Sequence, residues 1–146
     1  MRTGLVGAVI VAVVLSGCQA TDENPNQAAL LQLLENRQKW NAQAIHDYSF
    51  DYDRIANIFT HPVHIEVLGG NVNRVIDRAT GTVYSNAGVP TVDSLFAEIE
   101  RAIPGRSGSV SAEYDVTLGY PNAISLGSNI PDMGTSESVT NFQKTT

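Results

Sequence analysis

Strict alternation of apolar and polar residues, repeated in separate short runs, most constrains what this chain can fold into. Tyr48, Phe50 and Tyr52 alternate with Asp47, Ser49, Asp51 and Asp53. Val63, Ile65 and Val67 alternate with His64 and Glu66, and Val110, Ala112, Tyr114 and Val116 alternate with Ser111, Glu113 and Asp115. Successive side chains of a strand point to opposite faces, so each run offers one face to a core and one to water. Parallel sheets are covered on both sides and read as unbroken apolar runs, so these runs predict an antiparallel sheet that needs cover on one side only.

Two segments with helical period supply that cover. In the first, Asn24 is placed to cap, Pro25 suits the first helical position, and Gln27 sits where an amide version of the capping box needs it. Leu30, Leu33, Leu34, Trp40 and Ala44 then fall on one stripe interrupted by Arg37, with Gln32, Asn36 and Lys39 elsewhere. The second helix opens at Pro90-Thr91, with Thr91 as N-cap and Asp93 in the first turn, where a negative charge favours the helix dipole. Its stripe is Val92, Leu95, Phe96, Ile99 and Ile103, and Pro104-Gly105 ends it.

Turn chemistry orders the strands. Gly69-Gly70-Asn71 supplies the positive backbone angles of a tight hairpin, with a return strand from Val72 to about Arg78. A turn around Gly81 precedes a short strand at Thr82 to Tyr84, Gly119-Tyr120-Pro121-Asn122 turns the chain into Ala123 to Leu126, and Glu137 to Phe142 forms the last strand. The expectation is an α+β fold, an antiparallel sheet of about five to six strands with two helices on one face. Helix then strands occurs twice, without matching residues between the halves.

The N-terminus carries an address. Arg2 precedes an apolar run from Leu5 to Leu15, then Ser16, Gly17 and the chain's single cysteine, Cys18. The stretch from Gly4 to Gly17 falls short of the roughly 20 apolar residues a membrane-spanning helix needs. Leu15-Ser16-Gly17-Cys18 resembles a lipobox, which implies that Cys18 is acylated and becomes the first residue of the mature protein, anchored to membrane lipid. The expected division is a leader over 1–17, the lipidated cysteine and a polar tether over 18–23, and one domain over 24–146. Gln19 replaces the aspartate that favours inner-membrane retention, so the sorting rule implies an outer-membrane address in a host with two membranes.

The leader takes Arg2 with it, leaving eight basic against fifteen acidic residues and a net charge of −7. Such a surface repels phosphate backbones and excludes nucleic acid as a partner. Lipidation of Cys18 removes the thiol from disulfide, nucleophilic or thiolate-metal chemistry.

Tyr48-Ser-Phe-Asp-Tyr-Asp-Arg54, Pro90-Thr-Val-Asp-Ser-Leu-Phe96 and Glu113-Tyr-Asp-Val-Thr-Leu-Gly-Tyr-Pro121 resemble, in order and spacing, the domain-of-unknown-function family 6174 of small bacterial secreted proteins and lipoproteins. The resemblance runs from about Trp40 to Phe142. Members often carry cysteines just after the aromatic strand, and Ile55 to Thr60 has none, so no redox role carries over. No catalytic residue carries over either.

Candidate chemistry is sparse. His61 and His64 lie three apart, which in an extended strand points them to opposite faces unless Pro62 bends the chain, and His46 joins them only through tertiary contact. Asp47, Asp51 and Asp53 share a strand face but lack the glycine and distal glutamate of an EF-hand, and they read first as a solvated acidic face. No nucleophile elbow or phosphate-cradling glycine loop occurs, and no cofactor is implied. The expected function is a lipid-anchored, non-catalytic interaction module of the cell envelope that contacts an envelope protein or cell-wall partner. Asp51, Asp53, His61, His64 and Tyr120 are its candidate binding surface. The alternative is an envelope hydrolase or metal-binding protein using His61, His64 and the nearby aspartates, and a third reading is a structural spacer.

Overall fold

The computed structural model describes residues 25–56, 59–60, 62–84, 88–103, 109–127 and 134–145. The leader, Cys18, the tether, Asn24 and His61 lie outside the described residues, as do Pro104 and Gly105. Among the described residues the elements are α1 (Pro25–Ala42), β1 (Tyr48–Ala56), β2 (Phe59–Thr60), β3 (Val63–Leu68), β4 (Asn71–Asp77), β5 (Val83–Tyr84), α2 (Val92–Ala102), β6 (Val110–Tyr114), β7 (Pro121–Leu126) and β8 (Thr135–Lys144). Neither helix is long and apolar enough to cross a membrane.

The strands form one antiparallel sheet in the order β5-β4-β3-β1-β8-β7-β6, with β2 folded back on the end of β1. Six strands are of ordinary length. The short strand expected at Thr82 to Tyr84 is present as β5, and the two-residue β2, too short to leave a periodic signal, takes the sheet further beyond the five to six strands expected. The β3–β4 hairpin turns at Gly69 (φ 57°) and Gly70 (φ 77°), as the glycine pair demands.

Alternation sorts the faces as expected except at Val116, which lies past the end of β6 and is exposed. Tyr48, Phe50, Tyr52, Ile65, Val67, Val75, Ile124 and Val139 meet Leu33 and Trp40 of α1 and Val92, Leu95, Phe96 and Ile99 of α2 in one buried core. Ser49, Asp51, Asp53, His64 and Glu66 alternate with these residues and lie on the face opposite the helices. Core aromatics interlock: Trp40 stands edge-on to Tyr48 at 5.5 Å and to Phe142 at 5.8 Å, and Tyr48 stacks on Phe142 at 5.4 Å. Such geometry suits the ring quadrupoles and adds about 1 kcal/mol per pair beyond the area buried.

The α2 helix fits its sequence reading. Thr91 and Ser94 exchange a capping box, with Ser94 N donating to Thr91 Oγ1 at 3.2 Å and Thr91 N donating to Ser94 Oγ at 2.7 Å. The Val92 amide donates to the Tyr48 hydroxyl oxygen of β1 at 3.1 Å.

The α1 helix starts at Pro25 but is rotated from its expected stripe. Leu33, Asn36 and Trp40 face the core, whereas Leu30 and Leu34 remain 38% and 49% exposed, and Ala44 lies beyond the helix at φ 48°. Gly119 (φ 83°) explains part of this rotation: its backbone lies against Asn36 and Lys39 so closely that a Cβ there would collide with the helix. The Asn36 side-chain amide donates within the helix to the Gln32 carbonyl at 2.8 Å.

One irregularity matters for the open face. The β1–β8 register shifts between Ser49 and Asp51, and Asn141 adopts φ 51°. The bulge inverts the alternation of β8, so Glu137 and Val139 point inward, yet Phe142 also points inward and stacks on Tyr48.

Candidate functional site

The open face gathers its polar residues around one carboxylate. Antiparallel register sets His64 of β3 directly across from Asp51 of β1, and His64 Nδ1 lies 2.7 Å from Asp51 Oδ1. Because a carboxylate only accepts, Nδ1 carries the proton of that bond, and Nε2 is left as the acceptor in the neutral ring. The β8 bulge turns Asn141 to the same spot, where its Nδ2 donates to Asp51 Oδ2 at 2.7 Å. Arg78, just past β4, completes the ring: its Nε stands 3.5 Å from Asp51 Oδ2, and one terminal nitrogen donates to Asp53 Oδ2 at 3.1 Å.

Three partners cover Asp51 so fully that it is 9% exposed on a face no helix shields. Burial pushes its carboxyl upward, but the hydrogen bonds from Asn141 and His64, together with the Arg78 charge, outweigh that and hold it below the usual carboxylate range. Asp51 is therefore a fixed anion that orients an imidazole, an amide and a guanidinium.

The remaining candidates have separate places. Asp47 Oδ1 accepts from the Gly69 amide at 2.6 Å and ties down the β3–β4 turn. His46 precedes β1, and its carbonyl accepts from the Gly70 amide at the β3–β4 turn, at the far end of the β1–β3 pairing from His64. Each aspartate of the row thus has a protein partner, Arg78 being shared by Asp51 and Asp53. Among the described residues no group of three or more His, Cys, Asp or Glu side chains has the arrangement of a metal site. Tyr120 is 9% exposed and stacks on Phe142 at 4.6 Å, so its ring belongs to the aromatic core and adds little surface.

A second polar pair lies on the covered face. Glu137 of β8 pairs in register with Arg54 of β1, and Arg54 Nε stands 3.4 Å from Glu137 Oε1. The Glu137 side chain is 1% exposed, and among the described residues neither carboxylate oxygen has a hydrogen bond of good geometry, although the Tyr52 hydroxyl lies close by. Burial, with Glu98 of α2 nearby, pushes its carboxyl upward against the pull of Arg54 and of the Tyr52 hydroxyl. Above it, a cleft of about 290 Å³ is lined by Tyr52, Arg54, Ser94, Glu98 and Arg101 among others.

Arg78, Asn141, Arg54 and Glu137 are not among the residues that the sequence singles out. Alternation with Val139 is the signal that puts Glu137 indoors, but the inverted parity of Phe142 conceals it. Nothing local marks Arg78 or Asn141, whose roles depend on a turn and a bulge.

No curated protein matches the chain at a significant level. The likeness seen in the tyrosine strand, the Pro90-Thr91 helix start and the Gly119 turn holds over a longer stretch than Trp40 to Phe142. Residues 32–144, more than three quarters of the chain, match one family's sequence pattern, and the chain belongs to the Family of unknown function (DUF6174).

Proposed function

We propose that the protein is a lipid-anchored component of a bacterial cell envelope whose open sheet face binds an envelope protein or cell-wall partner without catalysis. The observation that carries the binding role is the Asp51 network on that face. A buried anion fixes three different donor groups at 2.7–3.5 Å on an uncovered sheet. Fixed polar groups bind at lower entropic cost than mobile ones. The address rests on Leu15-Ser16-Gly17-Cys18, whose thiol accepts the diacylglyceryl group.

Two measurements test the two halves. Acyl label should enter the full chain in cells and be lost in Cys18→Ala, which should also release the protein from membranes. Crosslinking in intact envelopes should trap a defined partner, and the charge reversals Arg78→Glu and Asp53→Lys should each weaken that link while the domain stays folded. Unchanged crosslinking in both variants would remove the open face from the role.

The Asp51–His64 pair also favours a second reading, general-base chemistry at Nε2, because an aspartate that fixes the tautomer is how such bases are oriented. His64→Gln separates them. Loss of a measurable hydrolysis with partner crosslinking retained would support the enzyme, and the reverse supports the binding module.

A further inference from the structure

The rotation of α1 leaves an apolar patch that no other described residue of the domain covers. Leu30, Leu31 and Leu34 are 38%, 61% and 49% exposed. At 3.6 residues per turn they sit together, and the same stripe continues through Gln27 and Gln38, both exposed and uncharged. The charges of α1 nearest this stripe flank it, Arg37 on the Leu30 side and Glu35 on the Leu31 side, and both are paired. Arg37 reaches toward α2 and pairs with Glu100 at 2.8 Å, and Lys39 pairs with Glu35 at 3.5 Å. Leu33, Asn36 and Trp40 occupy the opposite side of the helix and bury it against the sheet.

The position of the patch in the chain says what covers it. Seven residue steps separate Cys18 from Pro25, so a fully extended tether reaches at most about 25 Å. Leu34 lies only ~14 Å further along the helix axis at ~1.5 Å per residue. The leucines are thus the apolar surface of the domain nearest in sequence to the anchor. An acidic protein gains nothing by electrostatic approach to a lipid surface, and an uncharged leucine patch is the kind of face that enters the headgroup boundary without charge attraction.

We propose that α1 lies on the membrane that holds Cys18, with Leu30, Leu31 and Leu34 seated in the lipid headgroup boundary. This rests on the lipid anchor proposed above. It adds an orientation: α1 and α2 share one side of the sheet, so seating the outer side of α1 on lipid turns the Asp51–His64–Arg78 face toward the aqueous compartment. The tether then does not leave the domain free to tumble.

Cys18 is the chain's single cysteine and acylation occupies its thiol, so an introduced cysteine is a unique labelling site. The full lipidated chain carrying Leu34→Cys, labelled with an environment-sensitive fluorophore, is reconstituted into phosphatidylcholine vesicles, with Ser49→Cys as the open-face control. The expected result is a blue-shifted emission at position 34 that nitroxide-bearing lipids quench and added salt does not reverse. The Ser49→Cys probe should stay water-like and unquenched. Replacing Leu30 and Leu31 by Glu should restore water-like emission at position 34 while the protein still floats with the vesicles.

Co-flotation with a water-like probe at position 34 overturns the proposal and leaves the anchor standing. Failure to float, with no acyl group on Cys18, overturns both. A blue shift that nitroxide lipids do not quench, and that grows with protein concentration, assigns the patch to a second copy of this chain and also overturns the proposal.

Discussion

Asp51 and Glu137 are both carboxylates of the central β1–β8 pair, one on each face of the sheet, and the sheet treats them in opposite ways. Asp51 lies on the open face, yet it has Asn141 and His64 at 2.7 Å and Arg78 close by. Glu137 lies under α2, attended by Arg54 Nε at 3.4 Å and the nearby Tyr52 hydroxyl, neither of them in good hydrogen-bond geometry among the described residues. A buried charge stabilises a fold only when hydrogen bonds replace the water it has lost. By that measure Asp51 is held for what it organises, while Glu137 is a cost carried by the core.

The sharpest way to break this contrast is Asp51→Ala. Three polar groups lose their shared acceptor, and denaturant unfolding should show a loss of about 3 kcal/mol, in the range for breaking a buried ionic network. Arg54→Met removes the positive charge beside Glu137, leaving only the Tyr52 hydroxyl, and should cost about 2 kcal/mol at neutral pH, recovering in acid as the carboxyl takes up a proton. His64→Gln keeps a donor near Asp51 and should cost only about 1 kcal/mol. Glu137→Gln should be neutral or gain up to about 1 kcal/mol at neutral pH, since it removes the buried charge at similar volume. A loss of several kcal/mol in Glu137→Gln would show that the carboxylate itself is needed and would end the contrast.

Acidity separates the two carboxyls further because their shifts have opposite sign. Glu137 binds its proton more tightly folded than unfolded, so its penalty is absent below its ordinary value of 4.5 and grows as the pH rises through the higher folded value. Asp51 binds its proton less tightly folded, so its contribution is complete above its ordinary value of 3.8 and is lost as the pH falls through the lower folded value. Thermal unfolding across mildly acidic pH should therefore flatten in Glu137→Gln, whereas Asp51→Asn should flatten the more acidic limb.

How much of the fold the sequence discloses depends on how many stripes an element carries. The apolar residues of α2 all fall on one stripe, and its cap, first turn and buried face can be read directly. The helix α1 has leucines on two sides, and a 3.6-residue period fits either. The side that wins is set by the rings of Tyr48 and Phe142 around Trp40 and by the close approach of Gly119, both of them tertiary facts. Within the candidate site, alternation puts Asp51, Asp53 and His64 on one face before any register is known. Pairing Asp51 with His64 requires the hairpin register, and recruiting Asn141 requires a bulge. Asparagine tolerates that left-handed backbone but does not announce it.

The hydrogen bond from the Val92 amide to the Tyr48 hydroxyl spans 44 residues of chain and closes the first turn of α2 with a side chain of β1. A helix whose opening amide depends on a strand is not complete until that strand is docked. The two elements then open together rather than in succession, and deuterium should enter at the Val92 amide only as fast as the central sheet itself comes apart.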